Sequence, residues 1–143
     1  MIKIGVLNDI HYDPFYDPKA DTKSFCWSSD PFKSKISWRL QSGPLKEATY
    51  GRFGCDPNEH LIQTIMGKMT KGANIDVLLV NGDIVGHDIA VKETWNLPAD
   101  KVEQYYVVLK DILATVGSWF IKENFKNSVV LPSLGNNDVK WHY

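Results

Sequence analysis

The chain has 143 residues, 43% of them hydrophobic and 23% charged, with a formal net charge of −1. That length suits one domain with a real core, and the near-neutral charge removes the electrostatic case for binding a nucleic-acid duplex or an anionic membrane. No apolar run is long enough to span a bilayer, Met1 abuts the first strand so that no secretory signal peptide is expected ahead of it, and no Asn-x-Ser/Thr acceptor occurs.

Ile2 to Leu7 reads as a first strand, ending at Asn8-Asp9-Ile10-His11. Tyr12 to Cys55 follows with little periodicity and much Pro, Ser, Asp and Gly. Loops of that length within a domain are usually functional or poorly ordered. The aromatics in this one (Tyr12, Phe15, Tyr16, Phe25, Trp27, Phe32, Trp38, Tyr50, Phe53) argue against plain disorder and, for most of them, for packing. Cys26 and Cys55 both lie here, as two thiols or one bridge; the count leaves both open. A helix start comes next, with Asp56 as cap, Pro57 at the first helical position and Glu59 as capping-box partner. Leu61, Ile62, Ile65, Met66 and Met69 form its apolar stripe, Gly72 ends it, and His60 reads as a surface residue.

Asp76 to Val80 is the second strand, a continuous apolar run of the kind that suits a parallel sheet covered on both faces. It stops at Asn81-Gly82-Asp83 and passes through His87-Asp88 into a loop containing Trp95 and Pro98. The second helix carries Val102, Tyr105, Tyr106, Leu109, Ile112, Leu113, Val116 and Phe120 at helical spacing, a core stripe. Ser128 to Leu131 forms the third strand and leads to Pro132-Ser133-Leu134-Gly135-Asn136-Asn137-Asp138. Alternating strands and helices imply an α/β fold with right-handed crossovers and a parallel sheet.

In such a sheet the loops after the strands open on one edge, where function collects. They would bring together Asp9 and His11, then Asp83 with His87 and Asp88, then Asn136, Asn137 and Asp138. Carboxylates with imidazole suit zinc, iron or manganese. One aspartate has two oxygens and can bridge two such ions, which together can activate water and clamp a phosphoryl oxygen. The chain has no Gly-rich dinucleotide fingerprint after the first strand, no Gly-Lys-Ser/Thr phosphate loop and no Gly-x-Ser-x-Gly elbow.

Asp9-Ile10-His11, Gly82-Asp83 and Gly135-Asn136, in this order, resemble the first three motifs of calcineurin-like metallophosphoesterases. Asp9-Ile10-His11-Tyr12-Asp13-Pro14, Tyr50-Gly51-Arg52-Phe53-Gly54-Cys55-Asp56 and His87-Asp88 after Gly82-Asp83 resemble the acid sphingomyelinase-like branch. The resemblance covers essentially the whole chain. It implies that Asp9 and His11 bind a first metal, that Asp83 bridges two, that Asn136 binds the second, and that both are zinc. It places His87 near the leaving group. It also implies a structural disulfide between Cys26 and Cys55, and with it a secreted or lysosome-like location.

Two departures stand out. The family's third motif has histidine where this chain has Asn137, which can donate a hydrogen bond but cannot serve as a general acid near neutral pH. The family's fold is a four-layer α/β/β/α sandwich whose second half adds three metal histidines, two of them in Gly-His-x-His. Neither His60 nor His142 stands in such a motif, so residues 1–143 read as the amino-terminal half of that domain. The implied function is hydrolysis of a phosphodiester, with a phospholipid headgroup such as that of sphingomyelin or a nucleotide-type ester as substrate. Two rival readings are a non-catalytic module that binds a partner or a phosphorylated ligand, and a small flavodoxin-like binding domain.

Overall fold

In the computed structural model three parallel strands, β1 (Ile4–Asn8), β2 (Val77–Asn81) and β3 (Val129–Ser133), stand side by side in the order β1-β2-β3. The residues described are 1–20, 22, 26, 27, 47–87 and 99–139, with the side chains of 99–105 and 122–123 left out of account. Ile4, Val77 and Val129 share one rung of the ladder, and Asn8, Asn81 and Ser133 share the last. The strands therefore end level, and the three loops that follow leave from one edge.

Helices α1 (Glu59–Ala73) and α2 (Ala99–Ser118) make the crossovers. Neighbouring strands joined in one direction by crossovers of one hand put their helices on one face of the sheet. Leu78 and Val80 point into that face and are fully buried beneath Ile62 and Met66 of α1 and Leu109, Ile112 and Val116 of α2. Each such side chain contributes about 1.5–3 kcal/mol on burial. Gly5 belongs to the same layer: a Cβ there would come within 2.6 Å of the Ile75 side chain, so its absence lets the end of the first crossover close on β1. α2 widens at Trp119–Asn124 into a π-helical turn, closed by the Phe125 amide donating to the Phe120 carbonyl at 2.8 Å. The extra residue per turn brings Trp119, Phe120 and Phe125 all into the core.

The opposite face differs from the expectation of a sheet covered on both sides. Ile4, Val6, Val129 and Leu131 are 61%, 49%, 57% and 51% exposed, and Val77 and Leu79 between them are only half-buried. Both helices occupy one face, so the alternate residues of every strand look outward. A second sheet is not found among the described residues; what they form is a three-stranded parallel α/β layer.

Local boundaries also moved. The cap of α1 is Asn58, whose side-chain oxygen accepts from the Leu61 amide at 3.0 Å, not Asp56, and Glu59 opens the helix. The helix runs through Gly72 and ends at Asn74, which takes the left-handed conformation that a C-cap requires. β3 extends two residues beyond Leu131, through Pro132, which a parallel edge strand tolerates. Of the long loop's aromatics, Tyr12 is buried and Phe15 and Trp27 pack against the core, whereas Tyr50 and Phe53 are exposed. Phe25, Phe32, Trp38, Asp88, Trp95, Pro98 and His142 lie outside the described residues. Among the described residues no helix is long and apolar enough to cross a membrane.

Candidate functional site

The loop after β1 is laid against the loop after β2 by backbone pairing. The His11 amide donates to the Asp83 carbonyl at 2.8 Å and the Tyr12 amide to the Ile84 carbonyl at 2.7 Å. Asp9, His11 and Asp83 all adopt left-handed backbone, with φ of 47°, 46° and 45°. Non-glycine residues rarely do so, and such conformations gather where a loop must aim side chains at one point.

The third loop is locked onto the second by Asp138. This buried carboxylate takes the Ile84 and Val85 amides on one oxygen, at 2.7 and 3.0 Å, and the Gly135 amide on the other at 2.9 Å. Gly82, with φ 60°, touches the Gly135 backbone so closely that a Cβ on it would collide with backbone atoms. A Cβ on Gly135 would likewise strike the Asp83 carboxylate and amide. The two Gly-containing turns are thus pressed together. Asp138, one of the polar cluster after β3, thus has a structural task; its signal in the sequence is the spacing Gly135-x-x-Asp138, which spans the cap and end of a short 3₁₀ turn (Asn136–Asp138).

The result is one group in which Asp9, His11 and Asp83 each offer a ligand atom within 4.8 Å of the others. Asp9 is exposed, while His11 and Asp83 are partly covered. Asp83 Oδ1 accepts the Asn137 amide at 2.8 Å, which fixes the carboxylate. The Val85 carbonyl lies 3.2 Å from His11 Nδ1. A carbonyl can only accept, so that contact assigns the neutral ring's proton to Nδ1 and leaves the Nε2 lone pair as the donor to a metal, a common outer-shell device at such sites. The buried Asn137 side-chain nitrogen lies 3.4 Å from the same Nδ1; with the proton there both atoms are donors, so that side chain packs against the ring without a hydrogen bond to it. Two carboxylates and an imidazole in this tautomer fit one divalent ion of the zinc, iron or manganese kind. Asn136 stands on the adjoining 3₁₀ turn, its amide 3.4 Å from that of Asn137.

His87 belongs to the same edge. Its ring stacks on that of His11, centroids 3.8 Å apart and planes inclined by 19°. Asp56, read from sequence as a helix cap, reaches His87 instead. One carboxylate oxygen lies 2.9 Å from Nδ1 and the other accepts the His87 amide. Cys26 and Cys55 are bonded, with Cα atoms 6.1 Å apart, and hold the residue next to Asp56. His60 is exposed and stacks edge-on against Tyr50, away from this cluster. One titrating group near the site is displaced: burial, aided by the Glu59 and Asp13 charges, pushes the Tyr12 hydroxyl up to about 12.

No known family's sequence profile matches this chain. Over 91 residues, 63% of the chain, it is 28% identical to a Dictyostelium discoideum protein named sphingomyelinase phosphodiesterase D. The matched stretch spans 17% of that relative's length, so the chain is similar to a minor part of a much longer protein.

Proposed function

We propose that the edge formed by Asp9, His11 and Asp83 is the metal-binding part of a phosphodiester hydrolase of the calcineurin-like, acid sphingomyelinase-like kind. The observation that carries the reading is the convergence of these three ligand atoms within 4.8 Å at level strand ends. It is supported by the distant similarity to a sphingomyelinase phosphodiesterase. Asp9 and His11 Nε2 would hold a first ion, Asp83 would hold it and reach a second, and Asn136 would serve the second. Zinc is the ion we expect. When bound, such ions lower the pKa of a water and stabilise charge on a phosphoryl group.

The chain's own groups then divide the remaining work. Asn137 keeps Asp83 in place through its backbone amide, and its side chain packs beside the His11 ring. His87, beside the metal ligands and open to solvent, would pass a proton to the departing oxygen. Asn137 cannot do that near neutral pH. The substrate class is a phosphodiester, a phospholipid headgroup or a nucleotide-type ester. The Cys26–Cys55 bond favours an oxidising, secreted or lysosome-like compartment.

These 143 residues would form part of a larger metallophosphoesterase domain, with further ligands for the second ion supplied from outside them. Hydrolysis of bis-p-nitrophenyl phosphate with added zinc tests the reading. Turnover should be feeble for residues 1–143, greater for a longer natural polypeptide, removed by chelation and abolished by Asp83→Asn. Undiminished turnover in Asp83→Asn would sink the assignment. A second reading, a module that binds a phosphorylated ligand without turnover, is favoured by Asn137 standing where an acid–base histidine would be useful. It predicts zinc binding with no hydrolysis at any length.

A further inference from the structure

We propose that Asp56 is the positioning residue of His87, fixing the ring's tautomer and aim; the inference rests on the phosphodiesterase reading above. Three independent features of the structure support it. First, both oxygens of one carboxylate are spent on one residue, with Oδ2 on the His87 amide and Oδ1 2.9 Å from its Nδ1. A ring held at backbone and side chain together has lost its χ1 freedom and its choice of tautomer. Second, Asp56 is relieved of any capping duty, because Asn58 caps α1. Third, the surroundings are shaped for the contact. A Cβ at Gly86 would lie 2.9 Å from Asp56 Oδ2, so glycine there admits the carboxylate, and the disulfide at Cys55 anchors the chain one residue away. The side chain of His87 is otherwise 60% exposed, and that of Asp56 only 18%. The rigid partner is thus the carboxylate, and the imidazole is the group being held.

The chemistry follows from the tautomer. With Nδ1–H on Asp56, the proton that His87 gives away sits on Nε2. As a water oxygen bonds to phosphorus, giving up its own proton to solvent, the bond to the departing oxygen breaks; that bond's electron pair goes to the departing oxygen, which takes the His87 proton. His87 is left neutral, still carrying Nδ1–H on Asp56, and no ring flip is needed. An alkoxide leaving group needs this proton, whereas p-nitrophenolate leaves well without it.

The test has two arms. In the first, nitrogen-15 side-chain NMR of this chain at about pH 8, where an ordinary imidazole is neutral, should show His87 protonated at Nδ1. Asp56→Ala should release it toward the other tautomer. Asp56→Asn keeps the volume but has only one acceptor oxygen, and should give a mixture if the alanine variant fails to fold. In the second arm, on the protein at its full natural length, Asp56→Asn should lower kcat for an alkyl diester about 10–100-fold, with KM unchanged. It should lower kcat for bis-p-nitrophenyl phosphate by less than about threefold, and Asp56→Glu should recover part of the loss. An Nδ1 tautomer that persists without Asp56 overturns the inference whether or not anything is hydrolysed, as does an equal loss of kcat on both esters. A tautomer that responds while the wild-type protein hydrolyses nothing upholds Asp56 as the residue that holds His87 and defeats the phosphodiesterase reading instead.

Discussion

Asp9, His11 and Asp83, the three residues proposed to hold a metal, stand in left-handed backbone that costs an L-residue roughly 1–2 kcal/mol each. The fold supports them with the His11 and Tyr12 backbone bonds and the Asp138 clamp, so stability is given up locally to aim three side chains at one point. Asp9 is the cleanest place to see this, because it is exposed. Asp9→Gly should be about 1 kcal/mol more stable than Asp9→Ala by denaturant unfolding, while both lose zinc affinity by calorimetry. Tyr12 gives a pH-dependent counterpart. Its folded pKa is raised from 10.0 to about 12, so between those values the native state binds a proton that the unfolded chain has released. Its contribution is therefore intact below pH 10 and is lost as pH rises through the window, by up to about 2–3 kcal/mol. Unfolding curves at rising alkaline pH should show this slope, and Tyr12→Phe should flatten it.

Among the elements, the start of α1 shows what could be read in advance and what could not. The helix, its stripe through Ile62, Met66 and Met69, and the two flanking strands were legible because apolar periodicity reports burial directly. The choice between Asp56 and Asn58 as cap was not, since both residue types cap well and the decision was made by His87, thirty-one residues on. Asn58 also donates to the Thr49 carbonyl at 2.7 Å, joining the loop to the helix. Asn58→Ala should thus cost about 1–2 kcal/mol of unfolding free energy, whereas Asp56→Ala should leave α1 intact by circular dichroism. The site was legible to the same degree. Level strand ends follow from alternating strands and helices, so Asp9, His11 and Asp83 could be grouped from sequence. The stacking of His87 on His11 and the bracing by Asp138 depend on loop conformations that no periodicity encodes.

For the whole molecule, the one-sided placement of the helices dominates. Ile4, Val6, Val129 and Leu131 form an apolar surface on a parallel sheet, a type almost always buried on both faces. Left in water, such a patch drives association. Sedimentation of the 143-residue chain should show growth in mass with concentration. The double variant Val6→Lys and Leu131→Lys should suppress it while leaving zinc binding at the far edge unchanged, because both positions lie one rung or more from the strand ends. Association undiminished by the two lysines would place the sticky surface elsewhere.

The Cys26–Cys55 bond also acts on the time axis. Pairing Ile4 with Val77 closes a span of 73 residues before any sheet exists, and the cross-link removes a 29-residue detour from that span, leaving 44. The closure entropy saved is about 0.5 kcal/mol, or close to a twofold faster search for the β1–β2 encounter. The larger effect, about 3–4 kcal/mol, is on the unfolded ensemble. A chain that oxidises early therefore assembles the edge carrying Asp9, His11 and Asp83 sooner and leaves it more rarely than one still carrying free thiols.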